Sequence, residues 1–217
     1  MQNDEIKNSP DNGALGNEVQ SAPDNKTPGD DGDAPAAAFY NNNNINVPSG
    51  HSDQWYKRNP TLLSKEVVFM RKRHPQAKYG FYPNSGDMFW LIELKVGKCL
   101  QPWTVLLRSD KGHPNSKFGG IKVIPVKPTF EEIRQQALDA GRKCVPHILK
   151  ANNGNEEYRY LCTRRHRDVY SGKELVSSAV MVAAWAAQWA AAFQLGLKRK
   201  DVWNKFCGDD FKHLQVH

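Results

Sequence analysis

The side chains in this chain best suited to chemistry are its cysteines: Cys99, Cys144, Cys162 and Cys207. Two of them stand beside histidines. Cys144-x2-His147 is followed after fourteen residues by Cys162-x3-His166, and four such soft ligands could close a tetrahedron around zinc. Against that reading, the intervening residues do not resemble the small core of a finger, and a body of this size needs no metal staple. No metal and no organic cofactor is expected. Cys162 has a second possible use. Arg164, Arg165 and His166 follow it directly, nearby cations favour an ionised thiol, and a thiolate is a competent nucleophile near neutral pH. A third use is plain core filling at a strand end. The N-terminus carries Asp4, Glu5 and Lys7 and no apolar run. A secretory signal is therefore not expected, which implies a cytoplasmic setting with reduced thiols.

The elements that must position these residues can be read from periodicity. Positions 62, 63, 66/67 and 70 lie on one helical face after Pro60-Thr61, and Arg71, Lys72 and Arg73 close the helix before His74-Pro75. The segment from Tyr79 to Gly86 reads as a turn region. Met88 to Leu94 and Trp103 to Arg108 read as strands of a hairpin or meander. Ile121 to Val126 reads as a third strand whose Pro125 suits only an edge or a strand end. Phe130 to Gly141 has the pattern of a short polar helix or turn, and Ala151 to Glu157 is loop by composition. From Leu175 to Leu197 the chain is rich in alanine. There Val182, Trp185, Trp189, Phe193 and Leu197 recur every three or four residues and predict a long core helix. Its length would also suffice to cross a membrane, but Gln188 and Gln194 interrupt the run and alanine is only weakly hydrophobic. No membrane is expected.

Composition divides the chain near residue 52. Up to about Gly50 it is rich in Asn, Asp, Gly, Pro, Ala and Ser, with Asn41 to Asn44 in a row. Such a stretch cannot bury enough area to offset its ordering entropy, so residues 1–52 are expected to form a disordered acidic tail and 53–217 the folded domain. Residues 1–50 hold eight acidic and two basic residues, a balance of −6, and the remaining 167 carry +13 of the net +7. A basic body suits an acidic partner surface. Aromatic and basic residues interleave at Trp55-Tyr56-Lys57-Arg58 and from Tyr158 to Arg167, as in stacking surfaces for nucleic acid. No nucleic-acid motif accompanies them, so that partner is the rival reading and not the expected one. Gly119-Gly120 lacks the spacing and the Lys-Ser/Thr of a phosphate loop.

The order of helix, strand meander, Pro146-His147-Ile148, loop, Tyr160-Leu161-Cys162 and a helix carrying Trp185 and Trp189 resembles the ubiquitin-conjugating enzyme superfamily, and its divergent bacterial members in particular. The resemblance covers roughly residues 60–203. It implies an α+β fold with an N-terminal helix, an antiparallel meander of three to four strands, a long irregular segment holding the cysteine and a long C-terminal helix. It also implies a transferase in which Cys162 accepts a ubiquitin-like modifier from an activating enzyme as a thioester and passes it to an amine.

Eukaryotic members of that family place a His-Pro-Asn tripeptide about ten residues before the cysteine, its Asn being assigned to the oxyanion. Here His113-Pro114-Asn115 lies 47 residues before Cys162 and reads as an unrelated loop. The matching position is His147, expected to hold the loop by hydrogen bonds, with Asn152 or Asn153 as substitute oxyanion partners. Lys65, Arg71, Lys72 and Arg73 would dock the activating enzyme.

Overall fold

The computed structural model describes residues 45–98, 100–115, 120–153, 156–163 and 178–208, with the backbone alone at 152–153 and 156–157. Trp55–Arg58 forms a single helical turn, α1, and the helix α2 follows over Pro60–Arg73. Asn59 separates them. Its side chain accepts from the Leu62 N–H at 3.0 Å, while Pro60 occupies the first helical position, where a missing N–H costs nothing. α2 buries Leu63, Glu66, Val67 and Met70, the face expected from its spacing. Ile45 packs against the core, and His51 Nε2 donates to the Pro83 carbonyl at 3.0 Å. Packing contacts therefore begin within the segment expected to be tail.

Six strands make one antiparallel sheet. They are β1 (Lys78–Phe81), β2 (Met88–Leu94), β3 (Trp103–Ser109), β4 (Ile121–Lys127), β5 (Ile148–Asn153) and β6 (Glu156–Leu161), in the spatial order β1-β2-β3-β4-β6-β5. β2, β3 and β4 fall where alternation places them. β1 overlaps the segment read as a turn region, and the end of β5 and the start of β6 lie in the segment read as loop, so the three-to-four-strand expectation is too low. Pro125 is the second correction. It pairs with Val105 inside β4, which lies between β3 and β6 and is not an edge. A register shift between Thr104 and Val105 adjoins it, and the described pairing of β4 with β6 is at Val123↔Leu161. No ladder bond to β6 is required at Pro125.

One face of the sheet is dry. Trp90↔Leu107, Ile92↔Val105 and Leu94↔Trp103 face each other across β2 and β3, Leu107 meets Val123, and Val123 meets Leu161. Over this face lies the helix α4, Ala179–Lys198, packed against β2, β3, β4 and α2. Its buried side is Val182, Ala183, Ala186, Trp189, Ala190 and Phe193, while Trp185 and Leu197 are only half buried. The small alanines let the helix lie close to the strands, and the large side chains gather at one end. There Trp189 stands 5.7 Å from Trp103 and 5.1 Å from Phe206, the latter on the last helix α5, Lys200–Cys207. α4 is long and apolar enough to cross a membrane, but 56% of its most apolar window is buried inside the protein. The short helix α3, Phe130–Asp139, links β4 to β5 behind a capping box between Thr129 and Glu132.

Glu66 is the exception within the core. It is 3% exposed, and its Oε2 accepts from the Ala179 N–H at 2.9 Å, capping the first turn of α4 from a helix 113 residues away. Its Oε1 lies 3.9 Å from His113 Nε2. Burial raises its pKa from 4.5 to about 7, with the Ala179 N–H pulling the other way. The native state therefore retains a proton that the unfolded chain releases between those values. This contribution to stability falls as pH rises through about 4.5 to 7, and the penalty is complete above that window. Glu66→Gln keeps an acceptor for Ala179 and has no charge to bury. Denaturant titrations should find it close to wild type at pH 5 and more stable at pH 8 by on the order of 3 kcal/mol.

Candidate functional site

Cys162 follows the last residue of β6. The β5–β6 ladder ends at Ile148↔Leu161, and the Cys162 N–H continues it by donating to the His147 carbonyl at 2.7 Å. Leu161 and Thr163 on either side are 2% and 5% exposed. Alternation then turns the half-buried Cys162 the other way, toward the sheet face that does not carry α4. The thiol is reduced. Its backbone is fixed at the rim of the sheet while the residue stays partly open to solvent.

His147 sets that position from both ends. Its φ is 58°, a left-handed conformation that non-glycine residues adopt at a cost. Its Nε2–H donates to the Phe206 carbonyl at 2.7 Å and lies 3.3 Å from that of Gly208, with the ring 5.7 Å from Phe206. A carbonyl can only accept, so Nε2 carries a proton and is not available as a base. His147 is a positioning residue here: its ring anchors to the C-terminal end of α5 while its carbonyl holds Cys162.

On the open face of the sheet the hairpin is tied down by Arg108, which is 3% exposed. Its Nε donates to Asp87 Oδ2 at 2.9 Å, and Asp87 Oδ1 takes a second bond from Gln54 Nε2 at 3.2 Å. The guanidinium carbon lies 4.1 Å from the Tyr82 ring centre and 4.8 Å from that of Tyr158 on β6. Burial opposes the charge. Asp87 and the two tyrosines more than offset it, and the pKa stands above its ordinary value. Beside it Lys122 bonds Asp110 at 3.3 Å and stands 5.7 Å from the same Tyr158 ring.

The remaining expected residues fall elsewhere. Asn152 and Asn153 pair with Glu157 and Glu156 at the tip of the hairpin. They lie four and five residues along β5 from Ile148, so roughly 13 and 17 Å from the end that holds Cys162. The register does not bring them to the cysteine, which corrects their assignment to an oxyanion. His113-Pro114-Asn115 is a loop after β3, with His113 packed 4.7 Å from Trp55. Lys65, Lys72 and Arg73 are exposed on α2 and Arg71 is half buried. Val68 and Phe69 stand among them at 62% and 53% exposure. Arg164, Arg165 and His166 lie outside the described residues, as does Cys99. Among the described residues no group of three or more His, Cys, Asp or Glu side chains could hold a metal.

Several of these contacts had no local signal. Arg108, Asp87, Tyr82 and Tyr158 meet only through the sheet. The hairpin did have one: Gly154-Asn155, the two residues of the sequence between β5 and β6, is a two-residue turn signature, and the polar composition around it obscured it.

No family model, curated protein or solved structure matches the chain.

Two substitutions probe this frame. Arg108→Ala leaves Asp87 buried without its cation and should cost about 3–5 kcal/mol by denaturant unfolding, most of it recovered by Arg108→Met with Asp87→Asn. His147→Ala removes the anchor and keeps the unfavourable φ. A loss of about 1–3 kcal/mol is expected, together with faster amide exchange at Cys162.

Proposed function

We propose that the chain is a ubiquitin-conjugating-like transferase with Cys162 as its nucleophile. The observation that carries this reading is the placement of Cys162: a half-exposed thiol one residue past β6, its N–H held by His147, between an antiparallel meander and the long helix α4. That order of elements agrees with the family the sequence resembles. The two extra strands, β5 and β6, replace the irregular segment expected before the cysteine.

In the proposed reaction the Cys162 thiolate attacks the thioester carbonyl joining the modifier to its activating enzyme. A new thioester forms on Cys162 and the activating enzyme's thiol leaves. An amine then attacks the Cys162 thioester, forming an amide, losing a proton and releasing the Cys162 thiol. The backbone hydrogen bond to His147 keeps the sulfur in place across both steps. The exposed strip on α2, with Val68 and Phe69 framed by Lys65, Lys72 and Arg73, supports docking of the activating enzyme there, since an apolar centre with a charged rim is the usual composition of a protein interface.

The protein incubated with activating enzyme, modifier and ATP should give a mass shift that thiol reductant reverses. Cys162→Ala should abolish it. Cys162→Ser should trap an ester that reductant does not cleave. A reducible shift persisting in Cys162→Ala would sink the assignment.

A further inference from the structure

Two other thiols stand on facing segments beneath the Cys162 anchor. Cys144 and Cys207 are both exposed and reduced. Cys144 belongs to the connection between α3 and β5, which is fastened to α4 and α5 by contacts on both sides of the cysteine. On one side the Arg142 guanidinium donates to the Gly196 carbonyl at 2.8 Å and lies 5.2 Å from the Trp203 ring centre. On the other, His147 reaches the carbonyls of Phe206 and Gly208. Cys207 is the residue between those two carbonyls. Cys144 is three residues from His147, a reach of at most about 11 Å. Burial is the main cause raising the Cys207 pKa, the neighbouring Cys144 adds to it, and Arg142 opposes it. The two thiols and the guanidinium thus share one local field.

We propose that Cys144 and Cys207 form a dithiol site that low-molecular-weight disulfides oxidise to an intramolecular disulfide. One protein thiolate attacks the external disulfide, forming a mixed disulfide and releasing one small thiol. The second protein thiolate then displaces the other half, so two protein thiols and one disulfide become one protein disulfide and two small thiols. The bridge needs Cα atoms about 4.4–6.8 Å apart, and the contacts of Arg142 and His147 hold the two segments side by side. Once formed, it staples the end of α5 to the segment carrying His147, and through the His147 carbonyl to Cys162. The proposal stands apart from the transferase reading, since neither cysteine is the nucleophile there.

The full chain incubated with oxidised glutathione at pH 8 and mapped by non-reducing peptide mass spectrometry should yield a Cys144–Cys207 cross-linked peptide. Tm should rise by roughly 10 °C, the size expected for closing a loop of about sixty residues, and dithiothreitol should reverse it. Cys144→Ser and Cys207→Ser should each lose both the cross-link and the rise, and carry glutathione on the remaining cysteine. The proposal is overturned by wild-type protein that takes glutathione on both cysteines without cross-linking, that bridges through Cys162 or Cys99 instead, or that does not react.

Discussion

The Arg108 guanidinium lies almost out of water in the middle of β3, and the position of the Cys162 hairpin depends on how that charge is satisfied. A buried cation costs several kcal/mol unless partners surround it. Here the partners come from three directions: Asp87 just before β2, backed by Gln54 from the N-terminal turn, Tyr82 from the connection between β1 and β2, and Tyr158 from β6. Each was drawn to the same charge, so each fixes its own segment relative to β3. This matters most for β6, whose described pairing with β4 is at Val123↔Leu161. A hairpin held by so short a ladder could pivot, and the ring of Tyr158 over Arg108 supplies a second point of attachment on the open face.

The helical side supplies a third. α4 approaches the sheet closely because alanines line its inner side, and α5 folds back on it tightly enough that Gly196 admits no side chain: an added Cβ would lie 2.9 Å from the Trp203 ring and 3.2 Å from the Trp203 Cα. The aromatic cluster of Trp103, Trp189, Phe193, Trp203 and Phe206 then locks α5 in place. From its C-terminal end the Phe206 carbonyl holds the His147 ring, and the His147 carbonyl holds the Cys162 N–H. Cys162 is therefore positioned from both faces of the sheet, while the residue itself stays half buried.

Glu66 and His147 share a pattern. Both are polar residues placed where the local sequence has no need of them, and both satisfy a helix end that belongs to a distant part of the chain: Glu66 the first turn of α4, His147 the last carbonyls of α5. α4 therefore has two caps, its own Ser178, whose hydroxyl accepts from the Met181 N–H at 3.2 Å, and Glu66 from outside, while His147 caps α5 from outside. The cost is visible at Glu66, whose charge is disfavoured by its burial, and at His147, whose backbone is left-handed.

Much of this was legible along the chain. α2, β2, β3, β4, α3 and α4 follow from local apolar spacing, which is a property of consecutive residues and survives without tertiary context. The sequence also singled out Cys162, with a metal ligand, a nucleophile and core filler as its alternative uses. What the sequence could not determine is which side chains surround that cysteine. Asn152 and Asn153 are near it in number but are carried to the far end of a hairpin, whereas His147, fifteen residues away, is brought to its backbone. Tyr82 and Tyr158 stand 26 and 50 residues from Arg108 and meet over it. Strand register decides such meetings, and register depends on pairing across the whole sheet and on the burial of one of its faces. The neighbours of Cys162 therefore came into being only with the tertiary structure.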